Sequence, residues 1–447
     1  METFLRGCRA ALKLCEQGGP WVHVVLGNEA CDLDSMISAI AFAYFLAKTS
    51  PEQKTAFVPV LNILRSDFPL RGECTFLLQE TQVAEALLIF RDEIDLHELH
   101  SLDRLTLTLV DHNVLPRGDA ALEEVVTEVI DHRPVERPFT PGCVVTAEPM
   151  GSCATLVTER IIQRAPDILD KQLAYILRST IVLDCINMAP EAGKVTPKDT
   201  EYVAVLESRF CDLPPRATAF ESLQKAKFDV SGLTTEQMLR KDLKVVSSGE
   251  LRLAISAVYM KLEELLARPR LKQEFEEFCR ARGYGVLIAM TISFSQKNEP
   301  FRQLAVYSPR GDLRELVSRG LEDVEVPSLR LAPMYSPCPE IDAYHQGNQL
   351  ASRKKVLPIV AALLAAREAG QPESGHNCRA WDDDEGRAGC AEDPCHDDDA
   401  PQLPPTPMNS LVEGSPLDGG LPRLTPEDIL EKFSKMAAEG PASFGRR

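Results

Sequence analysis

Residues 21–35 read WVHVVLGNEACDLDS, an apolar run followed by a short turn and a pair of aspartates. The run at residues 21–26 has the composition of a buried β-strand. The apolar stretch at residues 34–48 has the length of a helix, and Asp34 or Ser35 could cap its first turn. A strand that leads through a turn into a helix is the repeating unit of parallel sheets covered by helices. The segment therefore predicts an α/β fold.

The same alternation continues along the chain and predicts a first domain at residues 1–210. Its further strands are expected at residues 56–61, 105–110, 125–130 and 181–183, and its helices at residues 81–86, 152–164 and 170–178. The pattern breaks at Pro214 and Pro215, so residues 211–220 are predicted to be a linker. A smaller α/β domain is predicted at residues 221–370.

The predicted second domain contains its own helix and strand signals. They are a capping box at Thr234, strands at residues 251–258 and 285–292, and helices at residues 260–267 and 354–368. A helical stretch at residues 219–228 is predicted to lead into this domain.

Residues 371–447 differ in composition from the rest of the chain. They carry 16 acidic and 7 basic side chains, about half of the net charge of −18, with proline and glycine throughout. Such a segment cannot bury enough apolar surface to fold, so we expect a disordered acidic tail. Residues 426–438 are an exception, because Thr425 can cap a helix there whose apolar residues share one face. So short a helix is expected to fold on a partner.

The composition argues against several classes of protein. With 49 basic and 67 acidic residues, the chain has no strongly basic face, so no nucleic-acid binding is expected. The longest apolar stretch, residues 37–47, is about half of a membrane span, so no membrane insertion is expected. The amino terminus lacks the pattern of a secretory signal, and the 13 cysteines are scattered singly. We therefore expect reduced thiols and a location in the cytoplasm or also the nucleus.

Acidic and histidine side chains stand where the predicted strands end. They are Asp32, Asp34, Asp111, His112, Asp131, His132 and Asp184. The carboxyl ends of parallel strands share one edge of a sheet, so these groups should converge. Crowded carboxylates repel each other, and hard divalent cations relieve the repulsion; carboxylate and imidazole ligands suit Mg²⁺ or Mn²⁺ rather than structural zinc. A single aspartate after a strand usually caps a helix or a turn, so the interpretation rests on the whole series.

Five short motifs resemble those of a known superfamily. They are GNEACDLDS at residues 27–35, VDHN at 110–113, IDHR at 130–133, GSCAT at 151–155 and LD at 183–184. This series is similar to the DHH phosphoesterase superfamily, close to the family II inorganic pyrophosphatases and closest to the Prune-type exopolyphosphatases. The resemblance extends to RKDLK at residues 240–244, SRKK at 352–355 and LPPTPMNSL at 403–411, and so covers nearly the whole chain.

The resemblance implies a site for two divalent cations, Mg²⁺ or Mn²⁺. The implied ligands are Asp32, Asp34, Asp111, His132 and Asp184, with Asp111 bridging the two ions. Two such cations about 3.5–4 Å apart can activate a hydroxide for in-line attack on phosphorus. The catalytic set further includes His112, Arg133 and Asn28.

The resemblance also implies a group of cations from the second domain that hold the phosphates. They are Lys244, Arg353 and Lys354, with Lys355 nearby. Their closure over the metal edge would limit the size of the substrate. Alternatively, residues 353–355 are simply the solvated first turn of a helix. Basic groups at a helix N-terminus oppose the helix dipole, which favours a bound anion there.

Three residues depart from the patterns of related branches. Asn28 replaces a histidine ligand of the pyrophosphatases, so its neutral amide oxygen should make the first metal bind more weakly and favour Mg²⁺. Arg133 replaces the second histidine of the motif that names the superfamily, and it adds a cation that can bind phosphate. Asn113 differs from the Asp-His-His associated with the Prune branch, and we expect it to orient neighbouring groups.

The leading hypothesis is a metal-dependent hydrolase of phosphoanhydride bonds in short-chain inorganic polyphosphate. Cyclic-nucleotide (cAMP) phosphodiesterase activity ranks lower, because no aromatic-rich segment beside the motifs would bind a base. A third possibility is a weakly active scaffold that acts through its tail, where Thr406, Ser415 and Thr425 each precede a proline. The resemblance implies nucleoside-diphosphate kinase and glycogen synthase kinase as partners of a regulatory tail.

Overall fold

The computed structural model describes residues 1–15, 19–51, 54–136, 140–294, 300–349 and 351–368. The chain divides into two compact units, with the boundary between Asp229 and Val230. The acidic tail and the helix predicted at residues 426–438 lie outside the described residues.

The first unit is built on a five-stranded, entirely parallel sheet. Its strands are β1 (Trp21–Leu26), β2 (Thr55–Val60), β3 (Leu105–Val110), β4 (Val126–Asp131) and β5 (Val144–Ala147), in the spatial order β2-β1-β3-β4-β5. Its helices are α1 (Glu2–Cys15), α2 (Leu33–Thr49), α3 (Gly72–Glu80), α4 (Leu96–Ser101), α5 (Cys153–Arg164), α6 (Lys171–Asp184), α7 (Pro197–Arg209) and α8 (Arg216–Phe228). The α/β class predicted from the sequence is confirmed.

Helix α2 lies at the centre of this unit. It packs on β1, β2, α5 and α6, and its residues from Leu33 to Ala43 are all buried. A helix that is apolar on every side requires such complete covering. Its N-cap is Asp32, whose side chain accepts a hydrogen bond from the backbone of Ser35, and not the predicted Asp34 or Ser35. Asp34 is thereby left for another role.

Two elements predicted in the first unit are wrong. Residues 181–183 are not a strand but the end of α6, which Asp170 caps at its start. A short apolar run with β-branched residues fits a buried strand and a buried helix equally well. Here the run forms the last turn of the helix that begins after Asp170. The helix predicted at residues 81–86 is also misplaced, because α3 ends at Glu80.

The second half of the predicted linker, residues 216–220, is helical. Helix α8 begins at Arg216 and packs on α3 and α6 of the first unit. The close approach of α3 and α8 depends on Gly72, where a Cβ atom would overlap the carbonyl oxygen of Ala226. Residues 211–229 therefore belong with the first unit, which extends beyond the predicted end at residue 210.

The second unit contains a six-stranded mixed sheet. Its strands are β6 (Leu243–Ser248), β7 (Leu251–Val258), β8 (Val286–Phe294), β9 (Pro300–Tyr307), β10 (Leu331–Met334) and β11 (Ile341–Gln346), in the order β10-β11-β9-β8-β7-β6. Its helices are α9 (Thr235–Lys241), α10 (Leu262–Leu266), α11 (Leu271–Arg282), α12 (Gly311–Asp323) and α13 (Arg353–Glu368). Only β7 and β8 pair in parallel; the other neighbours are antiparallel.

Helices cover both faces of the second sheet. Side chains of α9, α10 and α11 form one core with it, and side chains of α12 and α13 form another. The strands predicted at residues 251–258 and 285–292 correspond to β7 and β8, and the capping box at Thr234 is present. The sequence did not predict β6, β9, β10 and β11.

None of the helices in the described part of the chain combines the length and the apolar character needed to cross a bilayer.

Candidate metal centre

Three predicted ligands come together at the carboxyl edge of the first sheet. Asp34, Asp111 and His132 each offer an atom within 4.8 Å of the others. Asp111 follows β3 directly, His132 follows β4, and Asp34 lies in the first turn of α2 after β1. Nε2 of His132 is 3.2 Å from Oδ1 of Asp111 and 4.0 Å from Oδ2 of Asp34. The parallel sheet therefore creates this group, as the sequence predicted.

Asp34 is held by the start of helix α5. Its carboxylate accepts hydrogen bonds from the backbone of Cys153 at 2.7 Å, the backbone of Ala154 at 2.8 Å and the hydroxyl of Ser152 at 2.8 Å. Ser152 is the N-cap residue but makes no side-chain cap of its own, so Asp34 satisfies these amides instead. A negative charge at a helix N-terminus is favourable. The GSCAT motif thus serves to fix one carboxylate of the site.

His132 is held with one ring nitrogen facing the carboxylates. Its Nδ1 lies 3.0 Å from the carbonyl oxygen of Met150. Because a carbonyl oxygen only accepts, Nδ1 must carry a proton and donate it. In the neutral ring Nε2 then keeps its lone pair, which is the form that binds a metal.

The carbonyl of Met150 is itself positioned by Asp199. The buried carboxylate of Asp199 accepts hydrogen bonds from the backbone of Gly151 at 2.9 Å and from the hydroxyls of Thr155 at 2.5 Å and Thr196 at 2.7 Å. A Cβ atom on Gly151 would lie 2.7 Å from the carbonyl oxygen of Lys194 and 2.9 Å from Asp199, and it would overlap the sulfur of Cys185. Only glycine fits this close approach.

Gly151→Ala should destabilise the fold by about 1–3 kcal/mol, the usual cost of forcing a methyl group into a packed site. The displaced Met150 carbonyl should also orient His132 less well and weaken Mn²⁺ binding. Thermal unfolding and calorimetric titration with Mn²⁺ would measure the two effects. Gly118→Ala is the matched control, since nothing lies within 4 Å of a Cβ atom there. Equal behaviour of the two variants would contradict the prediction.

Asp111 occupies a constrained position at the centre of the group. Its backbone has a φ of 62°, in the left-handed region, and its side chain is almost completely buried. The amide of Asn28 donates to Oδ2 at 2.6 Å, whereas the buried Oδ1 has the imidazole Nε2 of His132, at 3.2 Å, as its nearest polar partner among the described residues. A buried carboxylate oxygen costs free energy unless a cation or a proton occupies its lone pairs.

Asn28 does not offer the oxygen ligand that the sequence suggested. Its Oδ1 accepts a hydrogen bond from the backbone of Cys31 at 3.0 Å, so its NH₂ group must face Asp111. In this structure Asn28 therefore orients Asp111 by donating to it. The expected weakening of the first metal through an amide ligand finds no support in this arrangement.

Asp32 and Asp184 lie close to the group but outside it. Asp184 is the last residue of α6 and reaches the site from a helix, not from a strand end as expected. Its Oδ2 is buried and has no hydrogen-bond partner in the described part of the chain. Burial, together with Asp34 and Asp32, raises the pKa of Asp184 well above its usual value, and burial and Asp34 raise that of Asp32. The negative charge of both carboxylates is therefore only partly balanced by nearby positive charge.

Lys227 is a residue of this region that the sequence analysis missed. It lies near the end of α8, and its side chain is buried. Burial lowers its pKa, but the negative charges of Glu73, Asp32 and Asp184 outweigh burial and raise it, so the amine stays protonated. No local signal marks Lys227, because the packing of α8 on α3 and α6 is what brings it to the carboxylates.

Asp131 supports the site rather than joining the group. Its carboxylate accepts from the side chain of Asn113 at 2.6 Å and from the backbone of His132 at 2.7 Å. Asn113 also bonds the backbone of Pro134 and Glu136. Asn113 thus fastens the segment that carries His132 and Arg133, which agrees with the orienting role expected for it.

The two remaining catalytic candidates take different positions. Nδ1 of His112 bonds the carbonyl of Val110 at 2.9 Å, so this ring turns back on its own strand end. The guanidinium of Arg133 lies 4.0 Å from Oδ1 of Asp111, and its side chain is 25% exposed. Arg133 can therefore meet both the carboxylates and a ligand from solvent.

The phosphate-binding residues predicted from the second domain lie in the second unit. Lys244 is exposed on β6, and Arg353, Lys354 and Lys355 form the first turn of α13. Arg353 makes an ion pair of 2.6 Å with Asp242, which directly precedes β6.

The donor set of the first unit fits a hard divalent cation. It consists of buried carboxylates and one imidazole whose Nδ1 donates to a carbonyl, so that Nε2 is the nitrogen that can bind a metal once its proton is displaced. Oxygen ligands with an imidazole suit Mg²⁺ or Mn²⁺.

Two family models match the chain. The DHH family, N-terminal domain, matches residues 23–181, and the DHHA2 domain matches residues 221–363. Exopolyphosphatase PRUNE1 of Bos taurus is 53% identical over 99% of this chain and 99% of its own. The chain belongs to the Prune family of DHH phosphoesterases. The family predicted from the five motifs is confirmed.

The chain is also similar to a second PRUNE1 protein and, more distantly, to a pyrophosphatase. Exopolyphosphatase PRUNE1 of Homo sapiens is 52% identical over 98% of this chain and 97% of its own. A probable manganese-dependent inorganic pyrophosphatase of Brevibacillus brevis is 26% identical over 55% of this chain and 73% of its own.

Metal affinity should increase with pH, because the metal-free site holds extra protons. Burial and Asp34 raise the pKa of Asp111 from 3.8 to about 8. Burial lowers the pKa of His132, but Asp111 outweighs it and raises the value from 6.5 to about 10. A cation must displace these protons. We expect the Kd for Mn²⁺ to fall at least about tenfold between about pH 6.5 and 8.5.

The same pKa shifts determine the direction in which the stability of the metal-free protein changes with pH. Both groups bind more protons in the folded than in the unfolded chain, so the free energy of unfolding should decrease as the pH rises. The decrease should end near pH 10, where His132 has lost its extra proton in the folded chain as well. Calorimetry in buffers of different ionisation enthalpy would count the protons released by Mn²⁺. A Kd that is independent of pH, with no proton release, would contradict the assignment.

Proposed function

We propose that this chain is a metal-dependent phosphohydrolase that cleaves the phosphoanhydride bonds of short-chain inorganic polyphosphate. The observation that carries the proposal is the group of Asp34, Asp111 and His132, in which a buried carboxylate oxygen of Asp111 faces the imidazole nitrogen of His132 that is oriented by Met150. The exopolyphosphatase names of the relatives in the Prune family support the choice of substrate.

We propose that two divalent cations, Mg²⁺ or Mn²⁺, are held by the five residues Asp32, Asp34, Asp111, His132 and Asp184. The buried oxygens Oδ1 of Asp111 and Oδ2 of Asp184 support this number of ligands. The manganese-dependent pyrophosphatase among the relatives supports a divalent cation. When bound, such cations polarise phosphoryl oxygens and lower the pKa of water.

The surrounding residues of the chain each have a distinct task in this proposal. Asn28 and Asn113 keep Asp111 and the segment of His132 in place through their hydrogen bonds. Arg133 provides a guanidinium that can bind a phosphate in a bidentate manner and favour negative charge on its oxygens. Lys244, Arg353 and Lys354 of the second unit are proposed to bind further phosphates.

Phosphate release from tripolyphosphate and tetrapolyphosphate would test the proposal. It should be measured with Mg²⁺, with Mn²⁺ and with a chelator, using the full-length chain. Metal-dependent turnover is the expected result, and cyclic AMP in the same assay should be hydrolysed far more slowly. Faster hydrolysis of cyclic AMP would favour the phosphodiesterase alternative, and no turnover by a folded, metal-loaded protein would contradict both.

A further inference from the structure

Asp242 and Arg353 form a tightly bonded pair in the second unit. Nη2 of Arg353 lies 2.6 Å from Oδ1 of Asp242, and Nη1 donates to the backbone carbonyl of Asp242 at 2.5 Å. Both side chains are only 15% exposed. Two contacts from one guanidinium to one residue fix both its position and the plane of its fork.

The other oxygen of Asp242 is also engaged. The hydroxyl of Tyr259, just after β7, donates to Oδ2 at 3.3 Å. The carboxylate is therefore held between a guanidinium on one side and a phenol on the other. An aspartate restrained in this way can serve as a fixed anchor for Arg353.

The pair of Asp242 and Arg353 connects β6 and α13, and both elements contain residues that are predicted to bind phosphate. Asp242 stands two residues before Lys244 of β6, and Arg353 begins α13, which packs on β6. A guanidinium has five N–H donors, and the pair with Asp242 uses two of them. The other donors of Arg353 remain for an anion, and the pair restricts the directions in which they can point.

We propose that Asp242 is a positioning residue for phosphate binding, acting through Arg353. The inference rests on the proposed function. Without Asp242 the long arginine side chain would regain its rotamer freedom, and its ordering would then be a cost of binding substrate. The pair thus orders Arg353 before the substrate arrives.

The test compares kinetics with tripolyphosphate for Asp242→Ala, Arg353→Ala and the double variant. Asp242→Ala should raise KM at least about tenfold and change kcat less than about threefold, because ground-state binding is what is lost. In the Arg353→Ala background, the second substitution should change KM less than about twofold, since residues that act as a unit are not additive. Asp242→Asn keeps an acceptor oxygen for Arg353 and should have a smaller effect than Asp242→Ala.

Asp342→Ala is the matched control. Asp342 also contacts an arginine, Arg314 at 3.3 Å, and accepts from a hydroxyl, that of Ser318 at 2.7 Å. It should leave KM unchanged, whereas a general loss of packing would affect both variants alike. Should Asp242→Ala fail to fold, Asp242→Asn still decides the question through its KM.

Three results would overturn the inference: an unchanged KM in both Asp242 variants, a lowered KM, or additive effects in the double variant. A lowered KM would mean that Asp242 competes with phosphate for Arg353. Absence of turnover in the wild type would contradict the proposed function instead, and tripolyphosphate binding by calorimetry across the same variants would then decide on Asp242.

Discussion

Asp111→Asn should lower kcat for tripolyphosphate by on the order of 10³-fold in saturating Mn²⁺, or about 4 kcal/mol of barrier. Oδ1 of Asp111 is buried and lies 3.2 Å from the imidazole Nε2 of His132. Asparagine keeps the shape of the side chain and tolerates the left-handed backbone, but it removes the charge and one acceptor. The variant should therefore fold and still lose metal. Steady-state phosphate release and the bound Mn²⁺ content would measure both effects.

Asp103→Asn is the matched control for Asp111→Asn. Asp103 also has a left-handed backbone, with a φ of 53°, but it is exposed and stands before β3, whereas Asp111 follows that strand. The control should keep the activity and the metal content of the wild type. An Asp111→Asn protein that retains full metal and more than about a tenth of the activity would show that Asp111 is not at the reacting centre.

The parts of the site that the sequence predicted are those set by local structure. Asp111 and His132 each directly follow a strand whose last residues are mostly apolar and buried, so the strand end fixes their place on the sheet edge. Asp34 follows from the same logic through the turn after β1. In each case a few neighbouring residues determine both the element and the direction of the chain.

The parts that it missed depend on contacts between distant segments. Asp184 was assigned to a strand end, yet it reaches the site from α6, because a buried run such as residues 181–183 fits either element. The direction in which the amide of Asn28 points is set by Cys31 and Asp111 together. The strands of the second sheet pair mostly antiparallel, so they do not follow the strand–helix alternation by which the strands of the first sheet were recognised.

Lys227→Met should lower the free energy of unfolding of the metal-free protein by about 3 kcal/mol or more. Removal of one partner from a buried charged group typically costs about 3–5 kcal/mol, since it leaves the other charges uncompensated. The uncompensated charges here are Glu73, Asp32 and Asp184, which are the groups that keep the Lys227 amine protonated. Methionine retains most of the apolar stem, so loss of packing should contribute little. Denaturant unfolding with a chelator present would measure the change.

The response to metal separates this electrostatic role from simple packing. A bound cation can replace part of the compensation that Lys227 provides, so saturating Mn²⁺ should raise the Tm of Lys227→Met more than that of the wild type. Lys225→Met is the matched control, because Lys225 is exposed on the same helix, α8. We expect it to leave stability within about 0.5 kcal/mol of the wild type. If Lys227→Met behaves like this control, the buried amine does not balance the carboxylates, and Asp32 and Asp184 must be neutralised by protons instead.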